Sequence, residues 1–260
     1  MTTADVVVHA TKELLAEAIA ARLVTSLVDA QARRSTASVV LTGGGMGTGT
    51  LAALANSPAR DAIDWRRLDV WWGDERFLPS GDPERNETGA RAVLLDHVPV
   101  APARVHAMPA SDGPDAANVE AAAERYAGTL AAAAGAGDDG RVPVFDVLML
   151  GAGPDGHVAS LFPEHPAVHE DQRQVVEVHA APKPPPTRIS LTFPALNAAR
   201  EVWFLLAGAE KAGAVRLALS GAGPVQIPAA GVHGRERTLW LLDEAAAKEL
   251  PAEFHRPTTP

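Results

Sequence analysis

Five short apolar runs, each ending in a polar or glycine-rich loop, constrain this chain more than any other feature: VVV at 6–8, SVVL at 38–41, RLDVWW at 67–72, FDVLML at 145–150 and EVWFLLAG at 201–208. Strands that do not alternate with polar residues are buried on both faces, and the segments between these runs are long enough for crossover helices. The first such segment carries Leu15, Ile19, Leu23 and Leu27 every four residues, one apolar stripe on a helix. The pattern predicts an α/β fold, a doubly wound and largely parallel sheet flanked by helices. Ligands of such sheets sit beyond the C-terminal ends of the strands. The loops after the runs at 38, 67, 145 and 201 are therefore expected to converge on one site.

At 260 residues the chain can bury one substantial core, with or without a small appended lobe, so a single domain over 1–260 is expected, with 251–260 a frayed tail. The formal net charge of -9 argues against a nucleic-acid partner, which would need clustered Lys and Arg. Having no cysteine, the chain excludes disulfides, thiolate chemistry and Cys-type zinc sites. Its N-terminal stretch lacks the basic segment and long apolar core of a secretory signal, and nowhere do 18 uncharged apolar residues run together. A cytoplasmic chain, with no membrane partner and no obligate protein partner, is the expectation. VEAAAERYAGTLAAAA at 119–134 is a strong helix former, and the prolines of APKPPPTR at 181–188 make a stiff extended loop. Neither is given a function by its sequence.

Two glycine loops carry the chemistry. TGGGMGTGT at 42–50 follows a strand and precedes the helical LAALA, so its backbone N–H groups and the helix N-terminus suit an anionic oxygen. The lysine of a nucleoside-triphosphate P-loop is missing, because the pattern from Gly44 reaches Gly49 and then Thr50. GAGPDGHVASLFP at 151–163 contains a literal G-x-G-x-x-G at Gly151, Gly153 and Gly156, with Glu177 placed where a ribose-binding acid would stand. A dinucleotide site needs a long helix from the third glycine, and Pro163 comes only seven residues later. The loop instead presents Asp155-Gly156-His157, a carboxylate beside an imidazole suited to taking a proton from water near neutral pH. Metal-assisted hydrolysis is disfavoured: His157, His165 and His169 form no H-E-x-x-H, and Pro163 and Pro166 interrupt any helix that would align them.

LGAGPDGHVASLFP, WWGDERF, PPPTRISLTFPALNAA and LLAGAEKAGAVRLAL, in this order and spacing, resemble the glucosamine-6-phosphate isomerase/6-phosphogluconolactonase family, on its lactonase side. The resemblance runs from the glycine loop at 43 to IPAAGV at 227–232. It implies a sugar-phosphate isomerase-like fold, no cofactor or metal, and hydrolysis of a phosphorylated sugar lactone in the oxidative pentose phosphate pathway. It further implies that His157 is the general base and Asp155 its orienting partner, with Asp74 and Arg76 at the substrate. Arg188 and Lys211 fall at basic positions near the phosphate, and Gly43, Gly44 and Gly45 form its backbone cradle. Departures from the family pattern bear on two places. Thr42, Gly45 and Met46-Gly47 replace the usual S-G-G-S-T-P hydroxyls, leaving Thr48 or Thr50 to assist, and Arg85 stands where a serine commonly precedes the site candidate Asn86. Two other readings stay open on the residues alone: a sugar-phosphate isomerase or deaminase working through an acid near Asp74, and a non-catalytic sugar-phosphate sensor.

Overall fold

The computed structural model describes residues 4–135, 140–251 and 254, so most of the 251–260 tail lies outside the described residues. The chain opens with β1 (Asp5–His9) and α1 (Lys12–Arg34). Helix α1 starts where it does because Thr11 is extended and its hydroxyl accepts the Leu14 amide at 3.2 Å, and it stops at Ser35, whose φ of 67° is left-handed. Leu15, Ile19, Leu23 and Leu27 are all buried along it, as the four-residue spacing required. There follow β2 (Ala37–Leu41), α2 (Gly44–Asn56), β3 (Leu68–Trp72), β4 (Asp74–Arg76), α3 (Asn86–Val93), α4 (Val119–Ala133), β5 (Val147–Leu150), β6 (Val175–Val178) and β7 (Arg188–Leu191). The order closes with α5 (Phe193–Leu196), β8 (Glu201–Leu206), α6 (Ala212–Leu219), β9 (Arg237–Asp243) and α7 (Glu244–Ala247).

Six strands form one sheet in the order β1-β9-β8-β5-β2-β3, and every neighbouring pair is parallel. This is the doubly wound architecture that the five apolar runs require, and each of those runs is a strand of it. The sixth, β9, is an addition to the sequence reading: RTLWLLD is buried at six of its seven positions and separates β1 from β8. Among the described residues no helix is long and apolar enough to cross a membrane.

A second sheet, antiparallel in the order β4-β7-β6, was not foreseen. Its strands are only three or four residues long and two of them carry arginines, so they read as loops in the sequence. Helix α4 is joined to the main sheet through Tyr126, whose buried hydroxyl accepts from the Trp72 amide at 3.2 Å and donates to the Trp72 carbonyl at 3.3 Å. The glycine stretch also differs from its reading as a loop up to residue 50. Helix α2 begins inside it, at Gly44, whose φ of 75° is a left-handed conformation that glycine adopts at least cost.

Candidate functional site

A cleft of about 280 Å³ lies at the C-terminal ends of the parallel strands, and all four expected loops reach it. Thr42, Gly43 and Gly44 come from the end of β2, Asp74 and Arg76 from beyond β3, Gly151, Gly153 and His157 from beyond β5, and Lys211 from beyond β8. Asn86 and Arg188 also line it. Gly45 does not: it faces an adjoining pocket with Lys12 and the other side of Lys211. Of the hydroxyls considered for the atypical loop, Thr50 is fully buried and Thr48 lies outside the cleft; Thr42 is the one at its wall, with its hydroxyl accepting the Gly151 amide at 3.3 Å.

The loop after β5 does not continue into a helix. Gly156, at φ 83°, donates its amide to the Gly153 carbonyl at 3.0 Å, and the Gly153 amide donates to the His157 carbonyl at 3.0 Å, folding the chain back on itself. This compact turn brings Nδ1 of His157 to 2.6 Å from Oδ1 of Asp155. An ionised carboxylate only accepts, so Nδ1 carries the hydrogen, and in the neutral ring the lone pair is on Nε2. Burial would raise the Asp155 carboxyl, but the hydrogen bond and charge of His157 and the nearby Lys183 outweigh it and hold the group well below the usual carboxylate range. The imidazole packs on Phe162, ring centroids 4.6 Å apart. Gly153 makes room for the pair, because a Cβ there would lie 2.1 Å from both Asp155 Oδ1 and His157 Nδ1.

The second sheet explains how residues distant in sequence meet. In the β4/β7 register Arg76 stands opposite Arg188, and Asp74 opposite Ser190. Residues two apart share a strand face, so the two arginines, Asp74 and Ser190 lie on one side of this pair. Ser160 ties that face to the histidine loop: its hydroxyl donates to Asp74 Oδ2 at 2.6 Å and its amide to the Ser190 hydroxyl at 3.1 Å. Arg188 is 5% exposed, and most of its donors are engaged. Nε binds the Pro185 carbonyl at 3.1 Å, and Nη2 binds those of Lys183 and Pro184 at 3.0 and 3.1 Å. Nη1 lies 4.0 Å from Asp74 Oδ2 and is the part left to meet a ligand. The grip of Arg188 on the proline-rich segment brings a residue that sequence reasoning missed, Lys183, into the cleft.

Asn86 opens α3, donates its side-chain amide to the Asp74 carbonyl at 2.9 Å, and presses so closely on Gly43 that a Cβ there would fall 1.8 Å from its Oδ1. Arg85, the departure before it, is fully buried and donates to the Met108 carbonyl at 2.8 Å and the Leu78 carbonyl at 3.2 Å. It holds the wall of the site and does not enter the cleft. Beside it Glu75 accepts amides from Arg76, Asn86 and Glu87 at 2.9, 2.7 and 2.8 Å. Burial pushes this carboxyl up to about 7, against the opposing pull of Arg85 and the three amides.

Folding stability should respond to that shift. Because the folded-state value exceeds the ordinary 4.5, the folded chain keeps a proton that the unfolded chain releases, and stability falls as pH rises from about 4.5 to about 7. The contribution is about 3 kcal/mol. Denaturant midpoints measured across that window should lose this slope in Glu75→Gln; an unchanged slope would show that the proton is held elsewhere.

Lys211 lies at the start of α6 with its ammonium lowered, first by burial and then by the charge of Lys183, while Glu210 and Asp155 pull the other way. Arg76, Lys183, Arg188 and Lys211 thus gather four cations around one cleft in a chain of net charge -9. Helix α2 points its start at the same place, and no side chain caps it. Among the described residues no group of three His, Asp or Glu side chains is arranged to hold a metal ion. His165, one of the spaced histidines, binds the His179 carbonyl and the Ala167 amide instead.

At its strand ends the parallel α/β sheet carries a histidine–carboxylate pair within a ring of cations, an arrangement of the kind that α/β enzymes use for small anionic ligands. Residues 10–240 match the family described as glucosamine-6-phosphate isomerases/6-phosphogluconolactonase. The chain is 66% identical over 257 residues to a 6-phosphogluconolactonase of Streptomyces coelicolor (strain ATCC BAA-471 / A3(2) / M145), covering 99% of this chain and 98% of that protein. The solved 6-phosphogluconolactonase of Trypanosoma brucei is similar with a TM-score of 0.81 at 29% identity, over 96% of this chain and 100% of that one. A monomeric glucosamine-6-phosphate deaminase shares the fold with a TM-score of 0.75 at 23% identity, over 94% of this chain and 99% of that one. The chain belongs to the glucosamine-6-phosphate isomerase/6-phosphogluconolactonase family, and it is an enzyme of the 6-phosphogluconolactonase type.

Proposed function

We propose that the chain hydrolyses 6-phospho-D-glucono-1,5-lactone to 6-phosphogluconate, with His157 as the base that activates water. The observation that carries this reading is the Asp155–His157 pair, 2.6 Å apart, whose imidazole lines the same cleft as four cations while Asp155 stands behind it. Nε2 of His157 takes a proton from water; the hydroxide adds to the C1 carbonyl; the tetrahedral oxyanion collapses and the C1–ring oxygen bond breaks. The proton on His157 then passes to the departing ring oxygen, leaving the carboxylic acid, which ionises. Water and ester supply every atom of the product. Asp155 fixes the tautomer and stabilises the transient imidazolium.

The phosphate sits between Lys211 and the backbone amides at the start of α2, with the free Nη1 of Arg188 and the Arg76 guanidinium as further donors. A dianion there relieves the mutual repulsion of these charges, and anchoring the far end of the substrate orients C1 toward the base. Lys211→Ala should raise KM for the phosphorylated lactone about 10–100-fold, the worth of one charge-assisted hydrogen bond, and barely alter hydrolysis of unphosphorylated glucono-1,5-lactone. Equal losses on both lactones in a folded variant would remove the phosphate from this end of the cleft.

A further inference from the structure

We infer that Lys183 is a positioning residue for proton transfer: its ammonium, lodged against the Asp155–His157 pair, helps keep Nε2 of the imidazole unprotonated and able to accept a proton from water. This rests on the reading of His157 as the base. Lys183 Nζ lies 3.5 Å from His157 Nδ1 and 3.7 Å from Asp155 Oδ1, so one carboxylate oxygen faces two cation-forming groups at once. The arrangement is held from behind, since Arg188 grips the carbonyls of Lys183, Pro184 and Pro185. A flexible side chain on a surface loop would have no such fixed root.

The need for the ammonium follows from the pair itself. An opposite charge in contact with a titratable group favours its charged form, and an imidazolium is no base; here the carboxylate lies 2.6 Å from the ring. A second positive charge on the same oxygen opposes that bias. The resting trio is then neutral, Lys⁺–Asp⁻–His⁰, and it carries one positive charge only while His157 holds the proton taken from water. The excess charge favours handing the proton on to the leaving oxygen. Other charged groups stand around the pair: Arg188 lies over the Phe162 ring on which the imidazole packs, and Lys211, Asp74 and Arg76 line the same cleft. Lys183 is the cation in contact with both members of the pair, and Lys211 also senses it through their mutual repulsion.

The test is the pH dependence of kcat/KM for the phosphorylated lactone, with spontaneous hydrolysis subtracted, in the parent, Lys183→Met and Lys183→Arg. Without the ammonium His157 stays protonated to higher pH, so the acid limb of Lys183→Met should move up by about half to one pH unit, discounted for partial solvent exposure. Activity should fall more at acid pH than on the alkaline side, and Lys183→Arg should restore the limb. Carbon-13 labelling of the histidine ring, with the His157 signal assigned by its loss in His157→Asn, reads the same coupling without turnover. An unmoved His157 titration in folded Lys183→Met, or a raised KM with the acid limb in place, would overturn the proposal and make Lys183 a substrate anchor only. A titration that moves while the pH–rate profile does not would support the coupling and instead remove His157 as the base.

Discussion

His157→Asn is expected to lower turnover of 6-phosphoglucono-1,5-lactone by about 10²–10⁴-fold, the usual cost of losing a general base. Binding of the product 6-phosphogluconate should survive, because asparagine keeps the approximate size of the ring and the cations that hold the phosphate are untouched. The two effects separate chemistry from binding: a fall in kcat with product affinity retained removes an interaction made in the transition state. Isothermal titration with 6-phosphogluconate beside the rate measurement checks both. A folded variant with near-parental turnover would remove His157 as the base and turn attention to Asp74, whose carboxylate is tied to Ser160 at the edge of the cleft.

Gly153→Ala should be nearly as damaging without touching any polar group. The added methyl would fall 2.1 Å from both Asp155 Oδ1 and His157 Nδ1, so one or both side chains must swing away and the 2.6 Å bond between them cannot persist. Gly153 itself does not have the positive φ that alanine resists, so the turn should still form and thermal stability should change little. A displacement of about an ångström at the base costs on the order of 10²-fold in rate. The expected signature is therefore a kcat lowered by about that factor with an unfolding midpoint near the parent's. A fully active Gly153→Ala would mean that the close-packed geometry of the pair is not what the reaction uses.

What the sequence disclosed and what it withheld follow from how far apart the partners lie along the chain. Asp155 and His157 are two residues apart on one glycine-shaped turn, so their meeting is a local event that the D-G-H motif announces. The convergence of four loops was legible too, since it follows from parallel strands that all point the same way. The second sheet was not: β4, β6 and β7 are too short to show alternation, and their pairing sets Arg76 against Arg188 across more than a hundred residues of chain. Lys183 was hidden for a related reason. Its segment announces only stiffness, and the carbonyl grip that brings it to His157 comes from Arg188, whose charge reads from sequence as a ligand contact. Strand β9 differs again, because nothing physical hides it: TLWLL is as uninterrupted an apolar run as the five that defined the fold.

The most direct test of the whole account is the rate of acid release from 6-phosphoglucono-1,5-lactone, followed at constant pH against the buffer rate, with glucosamine 6-phosphate assayed for ammonia release under the same conditions. The account requires strong acceleration of lactone opening by the parent, its loss in His157→Asn, and no ammonia. Lactone opening at the buffer rate, or ammonia release from the amino sugar, would contradict it.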